Sequence, residues 1–179
     1  PHTVRVDLTA AESQLYDDAI DNYVDEHTVY DEYGRPQGGH LGLVTIKRQL
    51  ASSIHAYAEK EGLEKDDDFD DEDSKFRALL DIIKEVFSHG NKKIIVFAIF
   101  KKTLHYLQQQ LANEGYKSVM IYGDTSINRA EVLNQFQYDD NIQVLLSSEV
   151  GSEGLDMQFC NTLVNYDLPW NPMVVEQRI

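Results

Sequence analysis

The sequence predicts an α/β protein in which helices flank a parallel sheet, and two observations lead to this prediction. From residue 74 onward, stretches with apolar residues at helical spacing alternate with short apolar runs rich in β-branched residues. This alternation is typical of a parallel sheet whose strands are joined by helical crossovers. Two of the apolar runs, 144–146 and 162–166, are followed by polar or turn-forming segments. Since ligands bind beyond the carboxyl ends of parallel strands, we expect the functional residues in these segments.

Residues 1–63 are predicted to form a short strand followed by a helical hairpin. The alternation of apolar residues in 4–8 indicates the strand. Thr9 and Glu12 have the spacing of a capping box, so the first helix is expected from about residue 10 to residue 25. After a glycine-rich loop, apolar residues at helical spacing predict a second helix from residue 41 to about residue 61.

The acidic run 64–73, EKDDDFDDED, is predicted to be a solvated, disordered linker, because a run of like charge cannot bury itself. It lacks the spacing of an EF-hand calcium loop. No apolar strand leads into the run, so we do not interpret its acidic residues as the magnesium-binding acids of an ATPase.

Residues 74–179 supply the predicted sheet. Ser74 is expected to cap a helix that ends at Gly90. A second helix is expected around residues 104–111, and a third after Ser126, which is predicted to cap it. The four expected strands are 93–97, 119–122, 142–146 and 162–166. RecA-like, flavodoxin-like and Rossmann domains share this architecture, so the fold class alone leaves the function open.

Bulk composition narrows the class of protein. Hydrophobic residues make up 42% of the chain, yet no apolar run approaches the roughly 20 residues that span a bilayer. The N-terminus has no signal-peptide pattern, so we expect a soluble, intracellular protein with no membrane partner, cytoplasmic or in the nucleoid of a bacterium, or nuclear in a eukaryote. Because the sequence starts at Pro1 without Met, natural ends can be missing. The single cysteine, Cys160, excludes an intrachain disulfide and is expected to pack as a small hydrophobic residue.

The net charge of −15 argues at first against a nucleic-acid partner, because contacts from Lys and Arg to phosphates dominate such binding. The distribution of the charge matters more than its total. Residues 1–74 contain 19 acidic and 6 basic residues, whereas residues 75–179 contain 12 acidic and 10 basic residues. The second part is therefore nearly neutral, which is compatible with a local basic groove.

Several catalytic motifs are absent from the sequence. The phosphate-binding G-x-x-x-x-G-K-[ST] loop does not occur, so the chain is not a complete P-loop ATPase. The G-x-G-x-x-G pattern is also missing, which weakens a Rossmann interpretation. No G-x-S-x-G nucleophile motif is present, and the six His residues show no spacing such as H-E-x-x-H, so no metal site is predicted.

Polar residues suited to a ligand follow the third expected strand. Ser147 and Ser148 offer hydroxyls and amides at the strand end. The glycines Gly151 and Gly154 allow a backbone to approach phosphate or ribose closely. Two acidic residues further on are acceptors suited to ribose hydroxyls or to catalytic arginines. These are Glu153 and Asp156.

A second candidate is the predicted helix start at Ser126. Free amides at the start of a helix, together with the guanidinium of Arg129 one turn later, would suit a phosphate group. A plain capped helix with a surface arginine explains the same pattern equally well.

The segment SSEVGSEGLDMQFCNTLVNYDLPWNP, followed by EQRI, resembles the fifth helicase motif, its tryptophan-bearing extension and the start of the sixth motif in Swi/Snf-type ATPases. These are superfamily 2 helicase-related DNA translocases with two RecA-like lobes. Residues 93–100 are similar to the fourth motif. The resemblance implies that 74–179 is the second lobe, a RecA-like domain of the P-loop NTPase type. It also implies that 1–63 joins the lobes and that the sixth motif continues past Ile179.

The resemblance assigns roles to individual residues. Those expected at DNA are Lys101, Lys102, Gly123, Asp124, Ser126, Arg129, Ser147, Ser148, Trp170 and Asn171. Those expected at the nucleotide are Gly151, Glu153, Gly154, Asp156, Gln177 and Arg178. The usual family pattern has glycine and asparagine where this chain has Ser152 and Asp156, so the ribose contact is the least secure of these assignments.

The implied function is that of the C-terminal lobe of a DNA-dependent ATPase that translocates on double-stranded DNA and remodels chromatin or transcription complexes. ATP and Mg²⁺ are the implied cofactors of the intact protein, with Mg²⁺ held mainly by the first lobe of the same polypeptide and neither bound by this chain alone. Because the chain lacks Walker A, Walker B and the arginine fingers, we expect it to be inactive in isolation. A polymerase or another nucleoprotein complex is the implied partner.

Two alternatives stay open at this point. One is the second lobe of an RNA helicase or a DNA-repair helicase, which shares the superfamily. The other is a non-catalytic nucleic-acid-binding or protein-binding module that has the same fold.

Overall fold

The computed structural model describes residues 2–33, 35–37, 40–63, 72–123 and 128–169. The chain divides into two compact units, which we call the N-terminal unit (residues 1–78) and the C-terminal unit (residues 79–179). Only the last two positions of the predicted acidic linker lie within the described residues. No helix in the described part of the chain is long and apolar enough to cross a membrane.

The described part of the N-terminal unit contains helices and one small hairpin. Its elements are α1 (Ala10–His27), β1 (Val29–Tyr30), β2 (Pro36–Gln37), α2 (His40–Ser52), α3 (Ile54–Glu61) and the first residues of α4 (Ser74–Ser88). The Thr9 hydroxyl accepts from the Glu12 amide and the Glu12 carboxylate accepts from the Thr9 amide, so the predicted capping box is confirmed. Helix α1 packs against α2, which confirms the helical hairpin.

Two expectations for this unit are wrong. Residues 4–8 form no strand, because no described strand pairs with them, and Val4 and Leu8 are exposed. Alternation in a short segment does not stabilise a strand that lacks a neighbour. The second predicted helix is interrupted at Ser53, whose backbone is extended and whose hydroxyl accepts from the Ala56 amide. This cap ends one helix and starts the next.

The C-terminal unit is a parallel sheet with helices packed against it. Its elements are the rest of α4, β3 (Ile94–Phe97), α5 (Lys101–Asn113), β4 (Ser118–Ile121), α6 (Arg129–Tyr138), β5 (Val144–Ser147), α7 (Glu149–Ser152) and β6 (Leu163–Asn165). Among the described residues the strand order is β4-β5-β3-β6, and every neighbouring pair is parallel. The predicted α/β fold and its four strands are confirmed.

The sheet has an apolar core. Every residue of β3 and β5 is buried. Phe136 of α6 is fully buried in one cluster with Ile95, Ile121 and Leu145. Cys160 packs partly buried against this cluster, and burial raises the pKa of its thiol, in agreement with the packing role expected for it.

The caps of two helices differ from expectation. Asp73, rather than Ser74, caps α4, because its Oδ1 atom accepts from the Phe76 amide at 2.7 Å. Asp73 is also buried, so its assignment to a solvated acidic run is wrong. Asn128 caps α6, whereas Ser126, the expected cap, lies outside the described residues.

Candidate nucleic-acid and nucleotide interface

The four parallel strands end at the same level. The register pairs Ile121 of β4 and Phe97 of β3 with Ser147 of β5, and it pairs Phe97 with Asn165 of β6. These four residues are the last residues of their strands. The loops that follow them therefore leave the sheet side by side, where an open α/β sheet binds its ligands. We call this place the carboxyl edge.

The two serines after β5 organise the start of their loop. Ser147 is fully buried, and its hydroxyl donates to the Ser148 carbonyl at 3.1 Å. The Ser148 amide donates to the Ile121 carbonyl at 2.9 Å, and the Ser148 hydroxyl accepts from the Gly151 amide at 3.1 Å, which caps α7. Both hydroxyls are thus engaged within the chain. Their predicted contacts with DNA stay a prediction.

Gly151 is required by the chain's own backbone. A Cβ atom at this position would lie 2.6 Å from the Ile121 carbonyl oxygen and 2.7 Å from the Tyr122 Cα atom. The Arg129 guanidinium donates to the carbonyl oxygens of Val150 and Gly151 at 3.3 and 3.4 Å. The absent side chain and these two bonds allow α7 to pack directly onto the end of β4. A nucleotide contact at Gly151 remains a prediction.

The next part of the loop is open. Gly154 has a φ of +77°, which favours glycine, and no atom lies within 4 Å of the place where its Cβ would be. Glu153 and Asp156 are exposed on either side of it. The Asp156 Oδ1 atom accepts from the Gln158 amide at 3.1 Å, which fixes the direction of that carboxylate. This segment presents acceptors and accessible backbone to a ligand.

Two exposed lysines begin α5, directly after the loop that follows β3. Lys101 and Lys102 occupy its first turn. The ammonium of Lys101 lies 4.2 Å from the centre of the Tyr122 ring, and the His105 ring packs edge-on against the same ring. Tyr122 follows β4, so a cation–π contact connects the loops after β3 and β4. Sequence reasoning missed Tyr122, although its position at the end of a predicted strand was a usable signal.

Asp167 is the second residue that sequence reasoning missed. It is buried, and its Oδ2 atom accepts from the Ile99 amide at 2.9 Å. The Tyr166 amide donates to the Phe97 carbonyl at 2.9 Å. The segments that follow β6 and β3 are thereby joined. The sequence Asp-Leu-Pro is typical of a turn. It does not indicate whether the Asp167 carboxylate also accepts a hydrogen bond from a distant residue.

The described structure brings several predicted residues to one place. Gly123 lies against Val150, since a Cβ on Gly123 would be 2.9 Å from the Val150 Cγ1 atom, and Arg129 and Ser148 contact the same short helix. Six further predicted site residues lie outside the described residues. They are Asp124, Ser126, Trp170, Asn171, Gln177 and Arg178.

Comparison with known proteins identifies the lobe. The family model described as "Helicase conserved C-terminal domain" matches residues 74–179. The "uncharacterized ATP-dependent helicase YqhH" of Bacillus subtilis is 30% identical in an alignment of 197 positions that covers 99% of this chain and 33% of YqhH. The RNA polymerase-associated protein RapA of Photobacterium profundum is 40% identical over 110 residues, which cover 60% of this chain and 11% of RapA. The chain thus spans a third or less of the length of these relatives.

Solved structures show the same fold. The C-terminal part of the Fun30 ATPase domain superposes with a TM-score of 0.73 at 18% sequence identity. The match covers 98% of this chain and 77% of the Fun30 chain. The SWI2/SNF2 ATPase core of Sulfolobus solfataricus in complex with double-stranded DNA superposes with a TM-score of 0.68 at 19% identity, covering 97% of this chain and 36% of its own. The chain therefore belongs to the helicase conserved C-terminal domain family, and its fold is that of the RecA-like C-terminal lobe of SWI2/SNF2 ATPases.

Proposed function

We propose that this chain is the C-terminal lobe of a Swi/Snf-type, DNA-dependent ATPase that moves along double-stranded DNA and remodels protein–DNA complexes. The observation that carries the proposal is the common level at which the four strands of the parallel sheet end, with the loops after β3, β4 and β5 carrying the motif residues. The relatives support the class of enzyme: one has helicase in its name, another is named for association with RNA polymerase, and a structural neighbour was solved with DNA.

Lysine side chains at the carboxyl edge are the proposed DNA contacts. Lys101 and Lys102 are exposed in the first turn of α5, where the helix amides also favour a phosphate. Tyr122 limits the freedom of the Lys101 side chain, so less conformational entropy is lost when a phosphate binds. Contacts of this kind are to the DNA backbone, and they position a translocase without reading sequence.

The open segment after α7 is the proposed nucleotide contact. Glu153 and Asp156 are exposed acceptors, and Gly154 leaves its backbone accessible, which fits the hydroxyl groups of a ribose. The segment offers no cationic side chain for phosphates, and the sequence has no P-loop, the loop that holds phosphates and Mg²⁺ in such ATPases. The phosphates and Mg²⁺ would therefore be held by a first lobe, with Gln177 and Arg178 contributing from this one. Bound ATP supplies the phosphoryl group whose transfer to water drives the movement.

Contacts within the carboxyl edge would transmit that movement. Asp167 joins the segments after β3 and β6, and Arg129 with Gly151 joins the loops after β4 and β5. The contact of Lys101 with Tyr122 joins the loop after β3 to the loop after β4, so the proposed nucleotide-binding and DNA-binding loops belong to one connected framework. We infer that closure of a first lobe on ATP displaces the DNA-contacting lysines together with the nucleotide-contacting loop.

The deciding experiment measures ATP hydrolysis by the complete polypeptide that carries this lobe, without nucleic acid and with double-stranded DNA, single-stranded DNA or RNA. We expect double-stranded DNA to give the largest stimulation. Equal rates with and without DNA would refute a DNA-dependent ATPase. The absence of hydrolysis under all four conditions would favour a non-catalytic binding module. Stimulation by RNA alone would favour an RNA helicase. Because the proposed substrate is DNA, we expect the protein in the nucleoid of a bacterium or the nucleus of a eukaryote.

A further inference from the structure

Three polar side chains are buried together in the N-terminal unit, at the starts of three helices. Glu12 lies in the first turn of α1, His55 in the first turn of α3, and Asp73 caps α4. They are 2%, 3% and 9% exposed. One potential ligand atom from each residue lies within 4.8 Å of those of the other two. We call Glu12, His55 and Asp73 the polar cluster.

The Glu12 carboxylate is held in place by hydrogen bonds. Its Oε2 atom accepts from the Thr9 amide at 2.8 Å and from the Ser74 hydroxyl at 2.6 Å. Its Oε1 atom accepts from the Ser74 amide at 2.9 Å. These three bonds fix the position of the carboxylate beside the other two residues of the polar cluster.

Asp73 leaves one buried oxygen atom unsatisfied. Its Oδ1 atom accepts from the Phe76 amide at 2.7 Å. Its Oδ2 atom is inaccessible to solvent and has no hydrogen-bond partner among the described residues. A second buried carboxylate near Glu12 is costly unless a positive charge or donor compensates it. A bound cation would satisfy this oxygen.

The distance between His55 and Glu12 suits a shared metal ion better than a direct hydrogen bond. The His55 Nε2 atom lies 3.6 Å from the Glu12 Oε1 atom, beyond the range of an N–H···O bond. Two ligand atoms at about 2.0–2.2 Å from a tetrahedral zinc ion are about 3.4 Å apart. An imidazole with two carboxylates is a nitrogen and oxygen ligand set of the kind that zinc accepts.

We propose that Glu12, His55 and Asp73 bind a divalent transition-metal ion, with zinc favoured by the ligand set. The ion would hold together the starts of α1, α3 and α4, which lie far apart in the sequence. Its contribution would be to the stability of the N-terminal unit, since a ligand that binds only the folded state stabilises that state. The proposal does not depend on the DNA or ATP chemistry of the carboxyl edge.

The test is zinc binding to the untagged 179-residue chain, stripped of metal with a chelator and followed by titration calorimetry. We expect one zinc ion per chain. The variant Asp73→Asn should weaken binding by about a hundredfold while keeping the helix cap, because Asn caps helices as well as Asp does. His55→Ala should weaken it at least as much. His89→Ala removes an exposed histidine of the C-terminal unit and should leave the affinity unchanged.

Thermal unfolding gives an independent measurement in the same samples. Zinc should raise the Tm of the wild-type chain by more than it raises the Tm of Asp73→Asn. Circular dichroism of Asp73→Asn without metal establishes that this variant is folded. The proposal is overturned if the wild-type chain binds no stoichiometric zinc at about 100 μM, a concentration well above that needed for a structural site. It is equally overturned if Asp73→Asn binds zinc as tightly as the wild type.

Discussion

In the C-terminal unit, β3 and β5 are buried along their whole length among apolar helix faces, whereas in the N-terminal unit three polar side chains are buried together. The sheet core is held together by packing contacts among many apolar side chains. The polar cluster relies on a few, such as the two bonds from Ser74 to Glu12, which join residues 62 positions apart. Loss of an apolar contact should therefore destabilise the C-terminal unit first, whereas loss of a polar contact in the cluster should destabilise the N-terminal unit first.

The largest effect on the apolar side is expected from Phe136→Ala. Phe136 is fully buried in the sheet core, and truncation of such a side chain costs about 3–5 kcal/mol. Chemical denaturation measures the loss. Tyr138→Ala, in the same helix but 76% exposed, is the matched control and should change stability by less than about 0.5 kcal/mol. Similar losses in both variants would contradict the assignment of the core.

The polar cluster is tested by Glu12→Ala, measured with a chelator so that no metal contributes. The substitution leaves the Ser74 hydroxyl and the Ser74 and Thr9 amides without their acceptor, and we expect a loss of about 3 kcal/mol. Asp21→Ala, at an exposed position of α1, is the control. If the two variants are equally stable, the cluster does not stabilise the N-terminal unit and the comparison between the units fails.

A smaller effect is expected at the carboxyl edge from Gly151→Ala. Its Cβ atom would meet the backbone of Ile121 and Tyr122, which cannot shift without disturbing β4, so we expect a loss of about 1–3 kcal/mol. Gly123→Ala is the control, because its Cβ would meet only the exposed Val150 side chain, which can rotate away. A loss in Gly123→Ala as large as in Gly151→Ala would show that the close backbone approach is unimportant.

The same contrast explains what the sequence predicted. The four strands and the level at which they end follow from apolar runs between helical patterns, a local signal that the structure confirms. Burial of Asp73 depends on the arrival of α1 from a distant part of the chain, and the acidic run around it predicts the opposite environment. The Lys101–Tyr122 contact also joins two separate elements, so local patterns do not predict it. The pattern of neighbouring residues determines where helices and strands form. Contacts between polar residues that are distant in the sequence depend on tertiary packing, which the local pattern does not predict.

The central claim, that the carboxyl edge binds the DNA backbone, is tested most directly by the salt dependence of binding of the complete polypeptide to a short DNA duplex. Each phosphate contact contributes about 0.9 to the slope of log K against log salt concentration. The double variant Lys101→Ala/Lys102→Ala should therefore lower the slope by about 2 and weaken binding. The control is Lys117→Ala, which removes an exposed lysine next to the amino end of β4. An unchanged slope in the double variant, or an equal decrease in the control, would contradict the claim.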